Sequence, residues 1–168
     1  MVVALCVTSC QQRKTVVYRG LPQNYVTAWE EIYGHCYDSV AQAVVALDLY
    51  SEGLELDAEH HMKGTGYNLY LSDIFVADSL LEEGTYRSDT TAAPFTFLPG
   101  QDYEGTPHGI YVLYIEEDKL QTIQVVDSGS FVYAGDSLVF SLHYRDANGT
   151  ATHYTTRFKG TLLPWQKP

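Results

Sequence analysis

Tyrosine is the side chain here most suited to binding chemistry, and the chain has 14 of them. Tyr103, Tyr111, Tyr114, Tyr133 and the late Trp165 are candidates for an aromatic platform that stacks on sugar rings or anchors a protein partner. No spacing marks a face they share, so the default expectation is tyrosines filling the solvent-facing and edge positions of a sheet. The acids come next, because a glycosidase needs two of them across a cleft in opposed environments. Glu30-Glu31, Glu82-Glu83 and Glu116-Glu117-Asp118 are sequence neighbours. Their side chains diverge in a strand and are solvated in a loop, so no pair stands out.

Nucleophiles and metal ligands are equally sparse. There is no Gly-x-Ser-x-Gly elbow, and Ser128-Gly129-Ser130 sits between strands with no following helix to build an oxyanion hole. His35-Cys36 would face opposite ways in a strand, which makes Cys36 a core or half-buried thiol. Asp102-Tyr103-Glu104 and Asp146-Ala147-Asn148-Gly149 lack the ligand alternation of a calcium loop and read as plain turns. His60-His61 supplies two ligands at best. No catalytic residue, cofactor or built metal site is expected, with His143 and His153 as weak metal candidates. A small hydrolase or metal-dependent enzyme is the alternative to a binding or structural module.

Composition narrows the partners. Lys plus Arg number 10 against 21 Asp plus Glu, a net charge of −11 that repels phosphate backbones. Arg13-Lys14 is the one adjacent basic pair, so nucleic acid is set aside. Three cysteines, at positions 6, 10 and 36 with no Cys-x-x-Cys spacing, make neither a disulfide framework nor a zinc site. Residues 1–10 are an apolar run closing on Val7-Thr8-Ser9-Cys10, in the manner of a bacterial lipoprotein signal whose Cys10 is lipidated after cleavage. The run is short and has no basic segment before it, which a true start further upstream would explain. No other stretch is apolar enough to cross a membrane.

The elements that must position these residues are strands. Residues 11–24 are polar and read as a tether, and 25–168 as one β domain. Gly64 to Val76 is the central strand. Strict alternation would bury Asp73 beside Leu71, whereas one extra residue at Ser72-Asp73, a β-bulge, puts Leu69, Leu71, Ile74 and Val76 on one face. Residues 25–37 fit a helix or a strand, and Val40 to Tyr50 is read as a strand because Gln42 and Asp48 then face away from the apolar set. Short strands follow at Leu54–Leu56, Gly84–Arg87 and Pro94–Leu98, then a turn-rich stretch from Pro99 to Pro107. Gly109–Ile115, Thr122–Val126 and Ser130–Tyr133 are strands, with Asp127-Ser128-Gly129 as a turn. Leu138–Tyr144 and Thr150–Leu162 form a hairpin. Matching its faces sets position 146 opposite 150, Gly149 in the left-handed region and His143 opposite His153. Many short strands at this spacing indicate an antiparallel β-sandwich, with barrel-like closure as a variant.

A resemblance can now be stated. Gly66-Tyr67-Asn68-Leu69-Tyr70-Leu71-Ser72-Asp73-Ile74-Phe75, Glu83-Gly84-Thr85-Tyr86, Phe95-Thr96-Phe97-Leu98-Pro99-Gly100, Ser128-Gly129-Ser130-Phe131-Val132 and Phe158-Lys159-Gly160-Thr161-Leu162 occur in that order. The series is similar to small all-β lipoproteins of Bacteroidota, loosely grouped with adhesin and fimbrillin-like proteins. That resemblance implies an outer-membrane-anchored envelope lipoprotein whose partner is an envelope glycan, a protein or a pilus-type subunit, and it carries over no catalytic residue. Gln11-Gln12-Arg13-Lys14 lacks the acids linked to surface display in that group, so periplasm-facing attachment is at least as well supported. Of four short Asp-Ser/Thr patterns resembling the group's O-glycosylation signal, Asp89-Thr90-Thr91 lies in the most polar loop, and Thr90 is the candidate acceptor.

Overall fold

Alternating apolar and polar side chains, rich in aromatic and β-branched residues, send this chain into strands throughout. The computed structural model describes residues 20–146 and 148–165; Cys10, the signal-like run and most of the expected tether lie outside them. In chain order the strands are β1 (Asn24–Tyr25), β2 (Thr27–Gly34), β3 (Ala43–Tyr50), β4 (Leu54–Leu56) and β5 (Met62–Gly64). Then come β6 (Gly66–Val76), β7 (Gly84–Ser88), β8 (Thr96–Phe97), β9 (Gln101–Tyr103) and β10 (Thr106–His108). The series ends with β11 (Ile110–Glu116), β12 (Lys119–Ala134), β13 (Ser137–Arg145), β14 (Ala151–Lys159) and β15 (Leu163–Pro164).

Hairpins β4–β5 and β9–β10 stand apart, and the remaining strands join one sheet. Within it, the hydrogen-bonded path from β12 through β11, β6, β8 and β7 returns to β12, so the centre closes as a barrel-like ring. Two wings leave the ring. The first runs from β6 to β3, β2 and β15; the second from β12 to β13, β14 and β1. One cluster of buried side chains fills the inside of both, with Leu47, Leu69, Leu71 and Ile74 from the first and Phe131, Phe140, Leu142 and Phe158 from the second. Each such side chain contributes roughly 1.5–3 kcal/mol by leaving water. The protein is a single all-β domain, mainly antiparallel, with β1–β14, β2–β15 and β7–β8 as parallel pairs.

The bulge in β6 is present. Val45 faces Ile74 and Leu47 faces Leu71, so β6 spends one residue more than β3 at Ser72-Asp73, and Asp73 takes φ of 45°. Leu69, Leu71, Ile74 and Val76 are all buried. The carboxylate of Asp73 is turned outward, where it accepts from Ser72 Oγ at 2.5 Å and from the Tyr37 hydroxyl. The β13–β14 hairpin also has the expected register, His143 opposite His153 and Leu142 opposite Tyr154. Gly149 closes its turn at φ 78°, donating to the Asp146 carbonyl at 2.8 Å, a backbone that a side chain would strain. Asp146 Oδ1 accepts from the N–H groups of Asn148 and Thr150, and Asp102 Oδ1 from that of Gly105, which is what turn carboxylates do.

Four expectations are corrected. Asp127-Ser128-Gly129 is no turn but part of the long strand β12, with a register shift between Val126 and Ser128. Gly129 is required there because a Cβ would lie 2.6 Å from the Ser141 carbonyl oxygen. Cys36 is exposed: β2 ends at Gly34, whose φ of 65° turns the chain out of the ladder before His35 and Cys36. The Pro99–Pro107 stretch holds the β9–β10 hairpin rather than turns alone. Residues 20–24, placed in the tether by sequence, enter the fold: Leu21 packs on the core, Pro22 accepts from Tyr154 Oη at 2.5 Å, and Asn24 begins β1.

Candidate functional site

The richest cluster of polar and aromatic groups lies on the outward face of the first wing. Strand pairing sets Trp29, Asp48, Tyr70 and Tyr111 side by side on β2, β3, β6 and β11. Their chain neighbours Ala28, Leu47, Leu49, Leu69, Leu71, Ile110 and Val112 point into the core, so alternation turns this row outward. The rings of Tyr70 and Tyr111 are 5.3 Å apart and tilted by 34°. One end of the face is covered by a second, smaller cluster of Tyr50, Leu54 and Ile115 with Trp29, Leu56, Met62 and Leu113. There Trp165 stands edge-on to Trp29 at 5.9 Å and against His60 at 4.7 Å. The other end is open, with Tyr33 and Tyr37 exposed.

Asp48 is the electrostatic centre. It accepts from Tyr50 Oη at 2.5 Å and from the side-chain amide of Asn68, which also donates to the Leu49 carbonyl at 3.1 Å. Burial raises its carboxyl from the usual range to about 6 and the charge of Glu31 adds to the shift, while the two donors pull the other way. Burial is also the main cause that pushes Tyr70 and Tyr111 up, so both hydroxyls stay neutral donors. Tyr33 Oη donates to Glu31 Oε2 at 2.8 Å and lies 3.3 Å from Tyr70 Oη. Tyr37 is pushed up to about 12, first by its hydrogen bond to Asp73. The face therefore offers flat rings, neutral phenols and two carboxylates, a set suited to hydroxyl-rich ligands. Strands β2, β3, β6 and β11 contain no Lys or Arg.

The residues singled out from sequence scatter. Tyr111 belongs to the row and Trp165 caps its covered end. Tyr103 stands exposed on the β9–β10 hairpin against His108, with ring centroids 5.2 Å apart. Tyr114 pairs with Tyr67 at 4.9 Å, and Tyr133 packs on the main core. The five do not form one platform, because Tyr111 and Tyr114 fall on opposite sides of β11 and the others on separate elements. Thr90 is exposed in its loop, beside an Asp89 whose carboxylate accepts the Thr91 N–H at 2.7 Å and is lowered by that bond. His143 and His153 share a face of the hairpin with rings stacked at 4.8 Å. No group of three or more His, Cys, Asp or Glu suited to a metal occurs among the described residues.

Sequence reading placed Asp48 outward but missed that it and Tyr70 meet Glu31, Tyr33, Tyr50 and Asn68. A signal was present: Glu31-x-Tyr33, Asp48-x-Tyr50 and Asn68-x-Tyr70 repeat a polar-x-Tyr spacing, and residues two apart in a strand share a face. Comparison with protein-family models, with curated proteins and with solved structures found no match.

Proposed function

We propose that the chain is a non-catalytic binding module of a bacterial cell envelope, held by lipid on Cys10, with a glycan as its ligand. The observation that carries the ligand class is the cross-strand row Trp29–Asp48–Tyr70–Tyr111, which sets stacking rings beside acceptors for sugar hydroxyls. The Cys10 anchor rests on the sequence of residues 1–10 alone.

The ligand is tested by titrating neutral oligosaccharides while following tryptophan fluorescence, since Trp29 sits in the row. Saturable binding is expected, weakened at least about fivefold, or roughly 1 kcal/mol, by Tyr70→Ala and by Tyr111→Ala. Variants that bind as well as wild type, or a panel with no binding saccharide, end the glycan reading. The anchor is tested separately: Cys10→Ala should move the protein, expressed with its upstream start, from the detergent to the aqueous phase, and equal partition removes that part.

One observation favours a hydrolase instead. Glu31 and Asp48 are diagonal neighbours on β2 and β3, a relation that sets residues roughly 7–8 Å apart, and Asp48 is raised to about 6. Inverting glycosidases hold their acids about 6.5–9.5 Å apart. Cleavage of a bound oligosaccharide by wild type but not by Asp48→Asn would replace binding with catalysis.

A further inference from the structure

The second wing carries a different chemistry on its outward side. We propose that it binds the sulfate ester of a saccharide in the shallow depression, about 430 Å³, lined by Arg87, Ser88, Ser128, Ser130, Ser141 and His143. Strand pairing builds this depression. Arg87, Ser130 and Ser141 are side-by-side on β7, β12 and β13, and Ser128, His143 and His153 form the next row on β12, β13 and β14. Short serines make the floor, and the longer Arg and His side chains make the rim.

Every lining side chain can donate a hydrogen bond, and none is a carboxylate. Ser88 Oγ accepts the Gly129 N–H at 3.0 Å, which leaves its own hydroxyl proton to give. Ser141 Oγ is 2.8 Å from His153 Nε2, and the His153 ring backs the His143 ring. The Arg87 guanidinium makes no ion pair among the described residues. The acid in the neighbouring bulge, Asp127, is paired with Arg145 at 3.8 Å.

Such a set fits an anion that only accepts. The lining holds one permanent positive charge, which a singly charged sulfate ester balances, whereas a phosphate monoester brings about −1.5 to −2. Arg145, Arg157 and Lys159 face outward from the same wing and draw anions to it in a molecule of net charge −11. No Tyr, Phe or Trp faces outward from β7, β13, β14 or the paired part of β12, so the stacking surface that single-stranded nucleic acid uses is missing.

The test is amide NMR of the full chain titrated with a chondroitin sulfate tetrasaccharide, its desulfated counterpart, sodium sulfate alone and short single-stranded DNA. The sulfated tetrasaccharide is expected to shift Arg87, Ser128 to Ser130 and Ser141 to His143, and the desulfated one to leave them in place. Arg87→Gln should weaken binding about tenfold or more, with Ser130→Ala as a second, smaller lesion. Both sites are at the surface, and an unchanged amide spectrum elsewhere shows that the variants fold. Tyr70→Ala on the first wing should leave this binding intact, so its result is separable from the glycan reading there. Equal shifts from the desulfated sugar, wild-type affinity in Arg87→Gln, sodium sulfate alone binding as well as the tetrasaccharide, or DNA binding as tightly would each overturn the proposal.

Discussion

The two wings obey the same alternation rule over the same core, yet their outward faces are chemical opposites. The outward side of β2, β3 and β6 carries Glu31, Asp48 and Asp73, and strands β2, β3, β6 and β11 contain no basic residue. On the second wing, β7, β13 and β14 turn Arg87, Arg145, Arg157 and Lys159 outward against one acid in the paired strands, Asp127 of β12. The cover differs as well. On the first wing, hairpin β4–β5 covers one end of the face with Trp165 against Trp29 there, and Asp48 in the row is buried, which raises its pKa. On the second, His143 and His153 are exposed and short serines leave the sheet surface open. A closed β framework thus fixes which residues face out, while the cover above each face decides how much water reaches them.

The sharpest break should come from the shared core, which belongs to both wings. Phe140→Ala should cost about 3–5 kcal/mol, and Leu71→Ala and Ile74→Ala about 2–5 kcal/mol each, in urea unfolding. Tyr70→Ala should cost clearly less than either aliphatic change, because that ring is outward; an equal loss would mean the first face is part of the core. Next is Asp48, whose folded pKa is raised from 3.8 to about 6. The folded state then holds that proton more tightly than the unfolded chain, so stability from this group is full below about pH 4 and falls as pH rises through about 6. The loss is up to about 3 kcal/mol, and it should vanish in Asp48→Asn, whose Oδ1 still accepts from Asn68 while its amide donates to the Tyr50 hydroxyl instead of accepting from it. A variant with the wild-type pH slope would assign the slope elsewhere. On the open wing the effects should be small. His153→Ala should cost under about 1 kcal/mol at neutral pH. Asp127→Asn, which breaks an exposed pair at 3.8 Å, should cost under about 0.5 kcal/mol and less still in high salt.

Some of this was legible in the residues. The β6 bulge could be read because Asp73 would otherwise be buried beside Leu71, and the β13–β14 register because only one pairing matches both apolar faces with Gly149 in the turn. The all-β class followed from the same periodicities, whereas the ring at the centre, anticipated only as a variant of a sandwich, came from the pairing of β7, β8 and β11. Gly129 misled because a glycine between small polar residues looks the same whether it makes a turn or admits a neighbouring backbone. The Asp48 cluster was harder to see because its members come from separate strands, and β11 reaches β6 only after a long excursion through β7 to β10. The basic face was invisible for a related reason: Arg87, Arg145 and Arg157 are isolated in sequence, and register alone brings them to one side.

The parallel pairing of β1 with β14 has a consequence in time. Asn24 and Tyr25 pair with Arg157 and Phe158, and the Asn24 side chain bonds Arg157 across 133 residues of chain. At a synthesis rate of roughly 5–20 residues per second, the partner of the first strand emerges about 7–27 s after that strand does. Through that interval β1 has no ladder to join, and the main core lacks the Phe140, Leu142 and Phe158 side that closes it. The N-terminal half therefore waits as unfinished chain, and the domain locks only when its last long strand arrives.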